Sequence, residues 1–262
     1  MIIITQIDAF TDKVFSGNPA AVCITTEPLK ESLMQQIATE MNLSETAFLV
    51  KKGEGFHLRW FTPKHEVELC GHATLASAFM LWDKALLPPE EEAVFYTLSG
   101  ELRTRKEVNE IVLDFPATPS QPVDHLEVKA LFDTKIQFLG KNAYDYLVVL
   151  KKEHDVTQFK PDLNRLAAID CRGLIVSALS DNPDYDIVSR FFAPAHGINE
   201  DPVTGSAHCT LAPYWSEVLG KKKLKAYQAS ERGGKLGLEY LGERVKLRGK
   251  AVTVMLGEFF LP

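Results

Sequence analysis

Three short polar segments of the sequence carry side chains that could do chemistry. Cys70-Gly71-His72 interrupts an apolar run just before the helix-like ATLASAF, and NLSET contains Glu45. DPVTGSAHCTLA contains Asp201 and Ser206, with His208 further on, inside a predicted helix, where we expect a structural role. Carboxylates, thiols and imidazoles are the groups that exchange protons near neutral pH. These segments indicate acid–base chemistry on a small molecule.

Each of these residues also has a structural interpretation. Cys70 can be a small buried apolar residue, and His72 can lie at a helix cap. Glu45 lies in a polar turn, where the sequence alone favours an exposed side chain. Asp201 precedes a proline and can form a turn, and Ser206 can cap the helix that follows it.

Other kinds of site are poorly supported by the motifs. The sequence contains no G-x-S-x-G elbow, no P-loop and no G-x-G-x-x-G. Cys70 and His72 could ligate a metal with His65 and Glu66, but the spacing completes no zinc-type pattern. Groups at i and i+2 around a glycine rarely form a nucleophile–base pair, which disfavours a Cys–His hydrolase.

Two predicted helices must position these groups. Each begins directly after a polar loop, so its first N–H groups and positive dipole end point at the loop. Such ends bind anions and stabilise negative charge that develops during proton abstraction. We therefore expect a substrate that carries a carboxylate. A helix N-terminus also lowers a cysteine pKa, which predicts thiolate character at Cys70.

The two loops belong to an internal repeat. LRWFTP (58–63) recurs as SRFFAP (189–194) with an offset of 131, and HATLA recurs as HCTLA with an offset of 136. In each half, a helix–break–strand segment precedes the loop, and a hairpin that ends in a buried strand follows it. We predict a duplicated α+β protein with domains 1–117 and 118–262. In an alternative arrangement, the final strand packs on the first domain. The cleft between two such domains is a favoured ligand site.

Composition narrows the classes of protein further. The chain of 262 residues is 45% hydrophobic, with a net charge of -6 and a pI near 5.7, which disfavours a nucleic-acid binder. No apolar run approaches the ~18 residues that span a bilayer, and the N-terminus lacks the basic region of a signal peptide. The four cysteines lie far apart, which fits a reducing cytoplasm.

Long motifs resemble the PhzF-like family, the phenazine-biosynthesis-type isomerases that share the diaminopimelate epimerase fold. The matching segments are DAFTDKVFSGNPAAVC, NLSETAFLV, LRWFTPKHEVELCGHATLASA, FFAPAHGINEDPVTGSAHCTLAPYW and QASERGG. The resemblance covers nearly the whole chain. It implies two similar α+β domains, each a curved sheet or barrel around a central helix, with the active site in the cleft between them. It also implies a homodimer that needs no metal or organic cofactor.

The resemblance also implies site residues. The catalytic positions are Glu45, His72, Asp201 and Ser206, and the substrate-binding positions are Cys70, Gly71, Thr204 and Gly205. Glu45 matches the family's proton-shuttling glutamate, so the expected function is a cofactor-independent isomerase acting on a small carboxylate-bearing substrate. Related epimerases use one cysteine from each half, and here Asp201 replaces the second. A two-base epimerase using Cys70 and Asp201, or a non-catalytic binder, remains the alternative.

Overall fold

The computed structural model describes residues 1–260 and consists mostly of β-strands with a few helices. The strands are β1 (Ile2–Ala9), β2 (Asn18–Thr25), β3 (Glu45–Lys52), β4 (Gly55–Phe61), β5 (Glu66–Val67), β6 (Ala93–Thr97), β7 (Gly100–Glu107), β8 (Glu110–Pro116), β9 (Gln121–Pro122), β10 (Ile136–Lys141), β11 (Asp145–Leu150), β12 (Gly173–Leu179), β13 (Ile187–Phe192), β14 (Lys223–Gln228), β15 (Gly234–Tyr240), β16 (Arg244–Gly249) and β17 (Ala251–Phe259). The helices are α1 (Glu31–Met41), α2 (Gly71–Asp83), α3 (Leu126–Lys129), α4 (Glu153–Thr157), α5 (Leu163–Ala167) and α6 (Gly205–Leu219). A 3₁₀ turn covers Pro194–His196.

The chain divides into two compact units. Unit 1 comprises Met1–Asp114 together with the segment that starts at Arg248, and unit 2 comprises Phe115–Leu247. The first division falls inside β8, three residues before the position expected from the proline-rich segment. The last strand, β17, lies in unit 1, where it pairs along its length with β1.

The two units repeat one order of strand pairings. In unit 1, β1–β2 is antiparallel, β2–β3 parallel, β3–β4 antiparallel, β4–β6 parallel and β6–β7 antiparallel. In unit 2, β10–β11, β11–β12, β12–β13, β13–β14 and β14–β15 follow the same alternation. The repeat predicted from the sequence is therefore present in the backbone topology.

Each unit contains one largely buried helix. Helix α2 contacts β1, β2, β3, β7 and β17, and α6 contacts β14 and β15. A helix that is apolar on all sides is stable only when it is surrounded, and the small residues of ATLASA let strands approach closely. Both helices begin at the polar loops that the sequence singled out, so the sheets hold these loops in place.

One expectation about the hairpins is wrong. Strand β8 is mostly buried, as predicted, but no residue of β17 is fully buried, although its sequence AVTVMLGEF is mostly apolar. The prediction treated hydrophobicity as burial, whereas apolar residues make up much of any protein surface. Among the described residues, no helix is both long and apolar enough to span a membrane.

Candidate active site

Glu45 owes its position to the end of helix α1. The helix ends at Asn42, whose backbone is left-handed with φ of 49° and whose N–H bonds to the Ala38 carbonyl. Asparagine tolerates this conformation and reverses the chain sharply. Strand β3 then starts at Glu45, whose side chain is only 11% exposed. The exposed side chain favoured by the turn sequence is therefore not observed, because the turn ends one residue earlier.

Glu45 meets the start of helix α2. The Glu45 Oε2 and His72 Nε2 atoms lie 3.1 Å apart, and both residues are buried. The pair is close enough for an ion pair, but its angles do not make an aligned hydrogen bond, and neither atom has another hydrogen-bond partner in residues 1–260. Catalytic hydrogen bonds often align only when substrate binds. A buried carboxylate oxygen and a ring nitrogen are thus available for proton transfer.

Cys70 occupies the N-cap position of helix α2 and has an extended backbone. Its Sγ lies 3.5 Å from His72 Nδ1. Burial, reinforced by the Glu45 charge, raises the pKa of the Cys70 thiol to about 11. The predicted thiolate character is therefore wrong, because desolvation outweighs the helix dipole and the neighbouring imidazole. At neutral pH the Cys70 side chain is a neutral thiol.

The pKa of His72 is also raised, but for an imidazole this shift favours the charged form. Burial alone would lower its pKa, but negative charge on Cys70 and Glu45 reverses this and raises the His72 pKa well above 6.5. Since Cys70 is protonated at neutral pH, the Glu45 carboxylate is the neighbour that supplies this charge there. The site therefore stores a proton on an imidazole next to a carboxylate.

Asn18 is a residue that the motif analysis did not single out. Its side-chain nitrogen lies 3.2 Å from His72 Nδ1, so in this arrangement the amide donates a hydrogen bond and Nδ1 accepts it. When His72 is doubly protonated, rotation of the amide would present the oxygen instead, since both ends of an amide can bond. The preceding Gly17 has φ of 68°, and a Cβ there would lie 2.2 Å from the Ala9 carbonyl oxygen. Only glycine fits, and it fixes the approach of Asn18.

Glu45, Cys70 and His72 are also the set that could hold a metal ion, since one donor atom from each lies within 4.8 Å of the others. However, His72 turns Nδ1 towards Cys70 and Nε2 towards Glu45. One ion would need both neighbours at the same ring nitrogen, so the present ring orientation fits a proton path better than a metal centre. These three residues with Asn18 form the unit 1 cluster.

In unit 2, Asp201 lies in the loop before α6 and is 8% exposed. Its N–H bonds to the Phe191 carbonyl at 3.0 Å, and its Oδ2 accepts the Thr204 hydroxyl at 2.5 Å. The buried Gln228 completes the loop, because its Nε2 donates to the Asp201 carbonyl at 2.7 Å and its Oε1 accepts the Thr204 N–H at 2.8 Å. Gln228 opens the QASERGG motif, but no local sequence pattern indicates this role.

His208, in the first turn of helix α6, also contacts this loop. Its Nδ1 lies 2.8 Å from the Thr204 carbonyl and must donate, and its Nε2, 3.3 Å from the Ser189 hydroxyl, then accepts. Burial lowers the His208 pKa to about 4, so the ring is neutral. The structural role expected for His208 agrees with these contacts. Asp201, Thr204, Ser206, His208 and Gln228 form the unit 2 cluster.

Both helix starts present backbone donors. Cys70 and Thr204 are the N-cap residues of α2 and α6, and neither uses its own side chain as a standard cap of the helix. Gly71 and Gly205 are the first helical residues, and Ser206 follows, partly exposed. The Thr204 N–H and hydroxyl are already bonded inside the loop, so Gly205 and Ser206 supply the open donors of unit 2.

An arginine holds the loop in each unit. Arg59 binds Glu66 through Nε and Nη2, both at 2.6 Å, and Arg190 binds Glu200 at 2.7 and 2.8 Å. The arginines are equivalent in the repeat, LRWFTP and SRFFAP. Glu200 directly precedes Asp201, whereas Glu66 lies four residues before Cys70. Each two-bond Arg–Glu pair is an arginine fork. In unit 2 the fork lies closer along the sequence to the titratable group of the loop.

The chain combines a duplicated α+β fold with a buried carboxylate–imidazole pair at the start of a largely buried helix, and the comparisons with known proteins place it among isomerases. The chain belongs to the PhzC-PhzF family, described as phenazine biosynthesis-like protein, which matches residues 7–257. It is 47% identical to an uncharacterized isomerase of Halalkalibacterium halodurans, with 97% of each chain covered.

Solved structures agree with this assignment. A PhzF-family phenazine biosynthesis protein of Enterococcus faecalis superposes with a TM-score of 0.94 at 45% identity, covering 99% of both chains. A probable proline racemase of Agrobacterium radiobacter superposes with a TM-score of 0.64 at 11% identity, covering 100% of this chain and 94% of the other, which concerns the fold alone. The family and the diaminopimelate epimerase-like fold predicted from the sequence are confirmed.

Proposed function

We propose that this isomerase moves a proton between two carbons of a small carboxylate-bearing substrate without a cofactor. The observation that carries the proposal is the buried Glu45–His72 pair, 3.1 Å apart and without other hydrogen bonds on the facing atoms. A desolvated carboxylate next to a proton-holding imidazole suits general acid–base catalysis. We place the substrate in a cleft between the two domains, as the family resemblance implies.

Glu45 is the shuttle in this mechanism. Its carboxylate takes a proton from one carbon and returns it to another on the same face, so the net reaction moves one hydrogen. Between the two steps the substrate carries an additional negative charge. His72, whose pKa is raised, donates a hydrogen bond to Glu45 or to a substrate oxygen and stabilises this charge.

The remaining residues bind the substrate. Asp201 hydrogen-bonds a polar group of the substrate and assists proton movement. The Thr204 hydroxyl orients the Asp201 carboxylate. Ser206 and the N–H groups of Gly71 and Gly205 hold the substrate carboxylate, since uncapped helix starts favour anions. Cys70 lines the site as a neutral thiol.

A two-base epimerase that uses Cys70 and Asp201 is less well supported. A thiol that abstracts a proton from carbon must first ionise, and burial raises the Cys70 pKa to about 11. The epimerase would be sensitive to Cys70→Ala in both exchange and turnover. The glutamate shuttle would tolerate the smaller side chain.

The first test is hydrogen exchange, because it requires no knowledge of the product. Wild-type protein and Glu45→Gln are incubated in D₂O with cyclic and amino carboxylic acids and with a cell extract, and mass spectrometry identifies compounds that gain deuterium. We expect at least one compound to exchange with wild type and on the order of 10²–10⁴ more slowly with Glu45→Gln. Exchange that survives in Glu45→Gln would rule out the shuttle.

A matched control separates chemistry from folding. Glu54→Gln changes an exposed glutamate in the turn after β3 and should leave exchange unchanged. Binding of a compound without exchange by wild type would favour a non-catalytic binder. We further propose a cytoplasmic homodimer on the basis of the family resemblance, and sedimentation of the purified protein tests the dimer.

A further inference from the structure

The strand pairings identify which position of unit 2 corresponds to Glu45. In unit 1, the strand residue after Glu45 pairs with Phe61, and in unit 2 the strand residue after Gly173 pairs with Phe192. Phe61 and Phe192 are equivalent in the repeat, at the offset of 131. Gly173 therefore occupies the position of Glu45, and unit 2 has no carboxylate there.

Unit 2 instead places an arginine directly before this position. Arg172 donates through Nε to Asp145 Oδ1 at 2.8 Å and through Nη2 to Oδ2. The Asp145 side chain has no exposed surface, and the rings of Tyr144 and Phe191 lie 5.4 and 5.7 Å from the Arg172 guanidinium carbon. One edge of the guanidinium is thus held by a buried carboxylate, and two aromatic rings lie next to the group.

The other edge of the guanidinium is open. Arg172 Nη1 makes no hydrogen bond within the part of the chain that the structure describes, and 37% of the side chain is exposed. Arg172 also lies beside the unit 2 cluster, since Phe191, which packs against it, accepts the Asp201 N–H at 3.0 Å. The Asp201 charge acts on the Arg172 guanidinium as well.

We propose that Arg172 binds the acidic group of the substrate from unit 2, together with the start of helix α6. While the Nε and Nη2 groups of Arg172 bind Asp145, the exposed Nη1 group can bind an anion. A planar guanidinium whose orientation is already fixed loses little entropy when it binds a carboxylate, and it forms charge-assisted hydrogen bonds. The inference rests on the proposed function and names the specificity of that same site.

The duplicated scaffold then uses neighbouring positions of the repeat for two purposes. At the start of β3 it presents a carboxylate that exchanges protons, and at the start of β12 it presents a permanently charged cation. Arginine remains protonated at any physiological pH, so it contributes binding and no proton transfer. This predicts a clear preference for acids over neutral isosteres of the same shape.

The test compares binding of carboxylic acids with binding of their primary amides. Benzoate, cyclohexanecarboxylate and proline, each paired with its amide, are titrated into the full-length protein by calorimetry and ligand-observed NMR. We expect wild type to prefer the acid at least tenfold in one or more pairs, and Arg172→Gln to abolish this preference. A structural role for Arg172 would weaken acid and amide binding equally.

Control variants keep the result interpretable. Arg172→Gln leaves Asp145 buried without its partner, so Arg172→Gln with Asp145→Asn is measured in parallel, and Arg172→Lys should retain part of the preference. Arg103→Gln, which breaks an exposed Arg–Glu pair, should retain all of it. No acid preference in wild type for any pair, or an unchanged preference in the double variant, overturns the proposal.

The same experiment distinguishes this proposal from the proposed function. Glu45→Gln should keep the acid preference while losing exchange, because Glu45 does not bind the acidic group. An Arg172-dependent acid preference without any Glu45-dependent exchange would leave Arg172 as the anion contact and refute the isomerase mechanism.

Discussion

The two histidines of HATLA and HCTLA show how the duplicated halves have diverged. His72 is the second residue of α2, lies 3.1 Å from a carboxylate and has a raised pKa. His208 is the fourth residue of α6, bonds to a carbonyl and a hydroxyl, and has a pKa of about 4. In unit 2 the helix starts three residues before the histidine, whereas in unit 1 it starts one residue before it. The same motif position therefore lies deeper in helix α6 than in α2. A repeat can therefore preserve a residue while its chemistry changes.

The largest difference between the units should appear at Cys70 and Asp201, which are equivalent at the offset of 131, because only Asp201 is expected to matter strongly for exchange. Asp201→Asn removes a negative charge and an acceptor, and we expect exchange to fall on the order of 10²-fold. Cys70→Ser should lower exchange only a few-fold, because a thiol with a pKa of about 11 is not a base at neutral pH. Deuterium exchange of the same compound measures both. Equal losses in the two variants would favour the two-base epimerase.

Stability below pH 6.5 should depend on His208. The unfolded chain protonates this ring near pH 6.5, whereas the folded protein protonates it only near pH 4. The free energy of unfolding therefore falls as pH decreases from 6.5 to 4, by roughly 3 kcal/mol at most. Urea denaturation of His208→Gln should show a flatter pH dependence in this window.

His72 gives the internal comparison for that experiment. Its folded pKa is raised, so its contribution to stability is complete below pH 6.5 and is lost as pH rises through the folded pKa. The two histidines thus act in different pH windows, and His72→Gln should leave the slope between pH 4 and 6.5 unchanged. A flattening there by His72→Gln would contradict both assignments.

Gln228 is a fully buried polar residue, and it should matter for stability through its two loop contacts. Gln228→Leu leaves the Thr204 N–H and the Asp201 carbonyl without their partners, which costs about 2 kcal/mol in the free energy of unfolding. Urea denaturation at pH 7 measures this loss. Gln35→Leu, at a partly exposed helix position, is the control and should change stability by less.

The smallest expected difference concerns the arginine forks. Arg190→Lys should destabilise the protein by about 1 kcal/mol and reduce exchange, since Arg190 holds Glu200 next to Asp201 and also donates to the Phe159 carbonyl. Arg59→Lys breaks a fork further from the titratable group, so exchange should fall less. A larger loss of exchange in Arg59→Lys would reverse the order proposed for the two loops.

The sequence was sufficient for the repeat and for the two residues, Glu45 and His72, that meet at the start of α2. Glu45 and His72 were identified from motifs, and the alternating strand pairings agree with the duplication seen in LRWFTP and SRFFAP. These features are local or periodic, which is the information that a single sequence contains. The catalytic roles proposed for Glu45, His72, Asp201 and Ser206 remain predictions.

Other features depended on contacts between distant parts of the chain. Asn18 meets His72 across 54 residues and Gln228 meets Thr204 across 24, which no local pattern indicates. The direction of the Cys70 pKa was predicted wrongly because the helix dipole is visible in the sequence, while the degree of burial is not. The exposure of β17 escaped prediction for the same reason.

The pairing of β1 with β17 has a consequence for synthesis of the chain. Unit 2 is one continuous segment, and a ribosome can complete it while the last strand is still untranslated. The sheet of unit 1 must wait, because Ile2 pairs with Phe259 at the opposite end of the chain. The N-terminal half is therefore made first and finished last, and the edge of β1 that β17 covers stays open to chaperones or to misassociation during that interval. Pulse proteolysis of stalled nascent chains would show protection of unit 2 before unit 1.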